Sequence, residues 1–192
     1  GGILYILKNF EIGCVVENGA RAEKNNLYRE YRKILREKKI RRLIVREGDR
    51  MSVDSARLYV LNPKGEEEIA DSNDNSIVLK LAYKGRGALF CADITDKTIA
   101  GLNHYGRFLE SEILKVPHHG GFLGDEYIVK NFLNQVSPIA SIISVGRKEY
   151  YKKPLENIIN ILTSLNSISY ITNRDGAVTA FISEDYCKLK PY

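Results

Sequence analysis

Residues 112–121, Glu112-Ile113-Leu114-Lys115-Val116-Pro117-His118-His119-Gly120-Gly121, join a strand to a histidine-bearing loop. Glu112 to Val116 reads as the strand, and the Pro-His-His-Gly-Gly that follows reads as irregular backbone just past its end. Within a strand adjacent side chains point to opposite faces, whereas a loop can aim both imidazoles into one cleft. The carboxyl ends of strands are also where α/β sheets carry function.

A second polar residue stands in a comparable place. Asp93 ends the apolar strand Ala88-Leu89-Phe90-Cys91-Ala92 and is followed by Thr95 and Asp96. A carboxylate and an imidazole at two strand ends are the donor types that a metal ion takes. Two other readings stay open at this point. Asp93 can cap a helix over 95–109, and the histidine pair can simply hydrogen-bond to backbone. His104, the remaining histidine, sits beside Tyr105 in that helical stretch and reads as a surface or packing residue. Lys152-Lys153-Pro154 precedes a helix start, where lysines either hold an anion or are solvated.

Outward from these residues the chain alternates legibly. Ile3, Leu4, Ile6 and Leu7 suggest a short helical start, and Glu11 to Glu17 a buried strand closed by Asn18-Gly19. Leu27, Tyr31, Ile34 and Leu35 fall at helical spacing, with Arg29, Arg32, Lys33 and Arg36 on the other side. Ile40 to Val45 and Arg57 to Leu61 read as strands, and Glu66 to Asp74 as an acidic loop. Ser76 to Tyr83 and Gly87 to Ala92 form a hairpin across Lys84-Gly85-Arg86. Helices over 95–109, 125–136 and 154–165 then alternate with strands over 112–116 and 139–145. Strands Ile168 to Thr172 and Ala177 to Ser183, flanking Asn173-Arg174-Asp175-Gly176, suggest a closing hairpin. Hairpins first and strand-helix alternation later predict an α/β chain with a mixed sheet covered by helices.

Composition narrows the class further. The 192 residues, 44% hydrophobic and 28% charged, fit one globular domain over 1–192 and exclude collagen, coiled-coil and disordered classes. No uncharged apolar run reaches the roughly 18–20 residues a membrane span needs; the longest is Ser137 to Gly146. The net charge of +5 is local. Residues 29–46 hold nine basic and two acidic side chains, which makes either a solvated helix face or a contact for phosphate or nucleic acid. Cys14, Cys91 and Cys187 show no Cys-x-x-Cys spacing, and the first two sit in apolar runs as packing residues. The start at Gly1-Gly2, without methionine, leader or hydrophobic segment, reads as a piece of something longer.

The segment Leu114-Lys115-Val116-Pro117-His118-His119-Gly120 carries a resemblance, together with Asn75 to Leu81 before Asp93, Ile142 to Gly146 after it, and Asp175-Gly176-Ala177-Val178. It resembles the metallo-β-lactamase-fold domain of ComEC-type DNA-uptake competence proteins and their free-standing relatives, over Gly1 to about Ile182. The resemblance implies an α/β (α+β) αββα sandwich in which two zinc ions lie between sheets and a metal-bridging water attacks an ester, amide or phosphodiester. It places Asp93 at the bridging carboxylate, here Ala92-Asp93 where relatives have Gly-Asp, and His119 at the later histidine ligand. His118 then approaches substrate or supports the ligands, and Gly120, Tyr151 and Lys153 fall where substrate is met.

The departures shape the expectation. The family's His-x-Asp-x-Asp-His or His-x-His-x-Asp-His cluster precedes a Gly-Gly and an apolar helix, and Gly1-Gly2-Ile3-Leu4 looks like that sequel, so the sandwich is expected to be N-terminally incomplete. Lys153 stands where relatives have the histidine of Tyr-Gly-His-Pro, and Gly121 where they have serine. The expected function is a metal-dependent hydrolase for phosphodiesters or nucleic acid, inactive as this fragment, with DNA or another phosphate-bearing substrate as partner. The alternative is a non-catalytic nucleic-acid or protein binding module that kept the fold and lost the metal site. A missing N-terminal segment or a membrane channel domain of the same parent completes the first picture. Localisation would be cytoplasmic for a free-standing protein and outside the membrane for a channel-linked one.

Overall fold

A computed structural model describes residues 2–65, 73–146 and 154–192, so most of the acidic loop read at 66–74 lies outside the described residues. The chain divides into two compact units, Gly1–Val45 and Arg46–Tyr192.

In the first unit the helical start is α1 (Gly2–Asn9), followed by β1 (Cys14–Glu17), α2 (Asn26–Glu37) and β2 (Arg41–Ile44). Asn25 starts α2 by accepting the Leu27 and Tyr28 backbone N–H groups at 2.8 and 3.3 Å, which satisfies two donors a helix leaves open. The 3.6-residue period then buries Ile34 and Leu35 against Leu4 and Leu7. Because α2 carries the chain back, β1 and β2 pair in parallel, with Cys14 opposite Arg41. Two apolar assignments fail here. Leu27 and Cys14 are exposed, because each lies where its element begins, outside the small cluster formed by α1 and α2.

In the second unit seven strands lie side by side in chain order: β3 (Arg50–Val53), β4 (Ala56–Asn62), β5 (Val78–Tyr83), β6 (Arg86–Phe90), β7 (Ile113–Lys115), β8 (Ala140–Ile143) and β9 (Ile168–Ile171). The first four pair antiparallel, β3/β4 and β5/β6 across two-residue turns. At β5/β6 the turn is Lys84-Gly85, both with positive φ, 46° and 81°, the geometry that matches the right-handed strand twist. From β6 onward the pairing is parallel, because α3 (Asp96–Leu102), α4 (Glu126–Val136) and α5 (Glu156–Ser164) return the chain each time. Ile99, Phe132, Leu133, Ile158 and Leu162 of these helices and Leu89, Leu114 and Ile143 of the strands form one buried cluster. Each such side chain contributes roughly 1.5–3 kcal/mol by leaving water.

The structure corrects two sequence expectations. The helix over 95–109 is α3 followed by a 3₁₀ segment, Asn103–Leu109, broken at Gly106, where φ 52° and ψ −130° leave helical space. The closing hairpin is not made by 168–172 and 177–183. Thr172–Asp175 forms a helical turn, α6, and β9 stays on the sheet edge beside β8, while β10 (Val178–Ile182) pairs with β11 (Cys187–Pro191).

Candidate functional site

Parallel pairing of β6, β7 and β8 puts their carboxyl ends on one edge, with Phe90 opposite Lys115 and Lys115 opposite Ile142. Three loops leave that edge together. After β6 the chain passes Ala92 at φ 49° and presents Asp93. After β7, Val116 still donates to the Ile142 carbonyl at 3.0 Å, and the 3₁₀ segment Pro117–Gly120 begins. His118, His119 and Gly120 lie at φ 47°, 57° and 69°. Two successive non-glycine residues in left-handed space cost roughly 1–2 kcal/mol each, so surrounding bonds must hold them. They do: His118 N–H donates to the Ala92 carbonyl at 2.9 Å, and Leu155 N–H to the Gly120 carbonyl at 2.8 Å.

This backbone brings the two expected ligands together. His119 Nε2 lies 3.3 Å from Asp93 Oδ1, and both side chains are 44% exposed. His119 Nδ1 lies 2.7 Å from the Ser144 carbonyl oxygen. A carbonyl only accepts, so Nδ1 carries a proton, and in the neutral ring the Nε2 lone pair faces Asp93. Two acceptors then face each other, an arrangement that is favourable only with a proton or a cation between them. Histidines that ligate metals are oriented in this way, through a carbonyl bond from the other ring nitrogen. His118 Nδ1 lies 3.1 Å from the Phe122 carbonyl, so its proton is placed by the same argument.

Several supporting residues carried no recognisable signal in the sequence. Lys115 Nζ donates to the Val116 carbonyl at 3.1 Å. Burial holds the Lys115 ammonium below its ordinary range, with Cys91 and then Asp93 pulling the other way. Asp74, almost fully buried, accepts from Thr95 N–H and Oγ1 at 2.9 Å each. It therefore takes the place near the start of α3 that was considered for Asp93, leaving Asp93 half-exposed just past the end of β6. Asn62 in turn donates to the Asp74 and Ser76 carbonyls at 2.8 and 2.7 Å. The Ser144 contact is made by a backbone carbonyl, which no residue type announces.

Gly120 is buried, and Tyr151 and Lys153 lie outside the described residues. His104 is exposed, 3.8 Å from Glu47 and stacked beside Tyr105 at 4.1 Å between ring centres, in keeping with a packing role. Tetrahedral zinc takes four donors. Asp93 and His119 fit as two, but among the described residues no group of three or more His, Cys, Asp or Glu side chains is placed to hold an ion. Among the described residues no helix is long and apolar enough to cross a membrane.

The chain is 25% identical over 136 residues to ComE operon protein 3 of Bacillus subtilis (strain 168), a match covering 70% of this chain and 17% of that protein's length. No family model matches. Among solved structures it is similar to a proposed metal-dependent hydrolase from Parabacteroides distasonis ATCC 8503, with TM-score 0.52 and 9% identity over 87% of this chain and 79% of that one. It is also similar to the metallo-β-lactamase fold protein YhfI from Bacillus subtilis, with TM-score 0.50 and 6% identity over 89% and 68% of the two chains.

Proposed function

We propose that this chain, which has the metallo-β-lactamase fold, is part of a metal-dependent hydrolase domain acting on phosphodiester or nucleic-acid substrates. The observation that carries the reading is the approach of His119 Nε2 to the Asp93 carboxylate at 3.3 Å, with Nδ1 held by the Ser144 carbonyl, which places two metal-type donors around one point. The chemistry such an ion supplies when bound is acidification of a water molecule towards neutral pH. The residues of this chain have simpler tasks. The Ser144 carbonyl holds the His119 ring and its proton, so that Nε2 stays a donor towards the ion. Asp93 supplies negative charge from the neighbouring strand end, and His118, on the same loop, orients substrate or ligand. Lys153 and Tyr151, which lie outside the described residues, keep the substrate-contact roles the resemblance gives them, Lys153 as a point charge for an anionic group. The preference for nucleic acid rests on the competence-family resemblance and on the likeness to ComE operon protein 3.

The remaining donors come from a segment beyond those described, and the 192-residue chain alone is weak or inactive. Zinc titrated calorimetrically into this chain tests the reading. Weak uptake that disappears in both Asp93→Ala and His119→Ala is expected. Uptake indifferent to both substitutions overturns it, and tight stoichiometric zinc overturns the incomplete donor set.

A second reading, a binding module that kept the fold without the chemistry, is favoured by the exposed cations Arg29, Lys33 and Arg36 along α2. It requires nucleic-acid affinity that is insensitive to Asp93→Ala and falls with salt.

A further inference from the structure

The basic stretch of the first unit divides into cations with partners and cations without. Lys8 pairs with Glu30 at 2.5 Å, Lys33 with Glu37 at 3.7 Å, and Lys38 Nζ donates to the Leu7 and Lys8 carbonyls at 2.7 and 2.9 Å. Arg29 bonds to Asn26. Arg42 donates through Nη2 to Glu17, which also accepts the Tyr31 hydroxyl at 2.5 Å. Its Nε is buried and has no partner. Among the described residues Arg21 and Arg32 have no hydrogen-bond or ion-pair partner.

These three arginines meet at one cavity of about 260 Å³. Arg21 comes from the loop after the Asn18-Gly19 turn, Arg32 from α2 one turn beyond Tyr28, and Arg42 from β2. Tyr28 and Glu23 share the lining. Even with Glu23 in the wall and Glu17 behind Arg42, the cavity keeps a positive excess.

We propose that this cavity binds the phosphoryl group of a phosphate ester, presented by a nucleotide or by a nucleic-acid strand. A guanidinium offers a planar fork that matches two phosphate oxygens, and arginines are less strongly hydrated than lysines, so a partly enclosed arginine site favours this anion. Arg42, one of the lining residues, also keeps a buried Nε without a partner, so Glu17 leaves part of its donor capacity unused. The volume lies just under the roughly 300 Å³ at which pockets for drug-sized molecules begin, which suits a phosphate with part of its ester better than a whole base, sugar and phosphate. The site is a local property of the first unit and does not rest on the hydrolase reading.

The test uses the 192-residue chain with EDTA present, so that a metal plays no part. Inorganic phosphate, a 5′-mononucleotide and a single-stranded 12-mer are titrated while the arginine Nε–H signals are followed by NMR. Shifts at Arg21, Arg32 and Arg42 are expected with each ligand. Arg32→Gln and, in the exposed loop, Arg21→Gln should each weaken phosphate binding about tenfold, the loss of one charge-assisted contact. Arg32→Lys should weaken it too, while Lys8→Gln, away from the cavity lining, stays within about twofold of the parent. Tighter binding of the 12-mer than of the mononucleotide identifies a strand as the source; equal binding identifies a terminal phosphate. Equal weakening by Lys8→Gln and Arg32→Gln, or unmoved Arg21, Arg32 and Arg42 signals, overturns the proposal.

Discussion

A β-carbon built on Gly120 would lie 2.7 Å from the Cβ of Pro154, closer than two such atoms approach. Gly120 also sits at φ 69°, and its carbonyl holds the Leu155 N–H. The loop that aims His119 is thus clamped between the end of β7 and the approach to α5. Gly120→Ala is expected to destabilise the second unit by about 1–3 kcal/mol in denaturant melts, because it adds both a clash and a strained φ. Unchanged stability would show that the loop is not clamped there.

Asn62 is the buried link between the end of β4 and the segment leading into β5. Asn62→Leu keeps the bulk and removes the donors, leaving the Ser76 carbonyl short of a partner. A loss of about 1–3 kcal/mol is expected, from the cost of a buried unsatisfied polar group. The Asp74 carbonyl retains the Thr98 hydroxyl at 3.1 Å, so the damage should centre on Ser76 in hydrogen-exchange maps.

Asp175 accepts Arg174 Nε and Nη2 at 2.8 Å each and the Ile171 N–H at 2.7 Å. The Arg174 guanidinium first, and the Ile171 N–H second, hold its carboxyl below the usual carboxylate range. A folded pKa below the unfolded one gives stability that is present above the unfolded value and is lost as pH falls through the folded value. In thermal melts across the acid range, Asp175→Asn should therefore flatten this part of the pH dependence while lowering stability near neutrality. Parallel acid limbs for the two proteins would contradict the assignment.

What could be read from residues alone follows the range of the forces involved. The β5/β6 hairpin was legible because the Lys84-Gly85 turn and two β-rich runs lie next to each other in the chain. Asp93 and His119 were legible as strand-end residues, although nothing in their spacing gives their separation. β3 was missed because Arg50 to Val53 buries too little to show an alternation. The closing hairpin was misread because Asn173 to Gly176 looks like a β-turn. In the structure the Asp175 carboxylate accepts the Ile171 N–H across a helical turn, and β9 finds its partner in distant β8. The Asp74–Thr95 and His119–Ser144 contacts each join segments more than 20 residues apart, so local pattern carries no trace of them.

The three thiols should separate by exposure. Cys14 is exposed, Cys187 is intermediate, and Cys91 is buried, with burial pushing its thiol far up. A native-state reaction with a disulfide reagent is expected to modify Cys14 first and to spare Cys91 until the chain unfolds. Fast labelling of Cys91 in the folded protein would contradict the packing of the β6 edge.

The claim that matters most is that His119 and Asp93 share a cation, with the imidazole proton kept on Nδ1 by the Ser144 carbonyl. Zinc titration followed through the ¹⁵N signals of the three histidines tests it directly. The expected result is an Nδ1–H tautomer for neutral His119, an Nε2 signal that moves with zinc, and loss of that movement in Asp93→Asn. A His119 that carries its proton on Nε2, or that ignores zinc while Asp93 is intact, would contradict it.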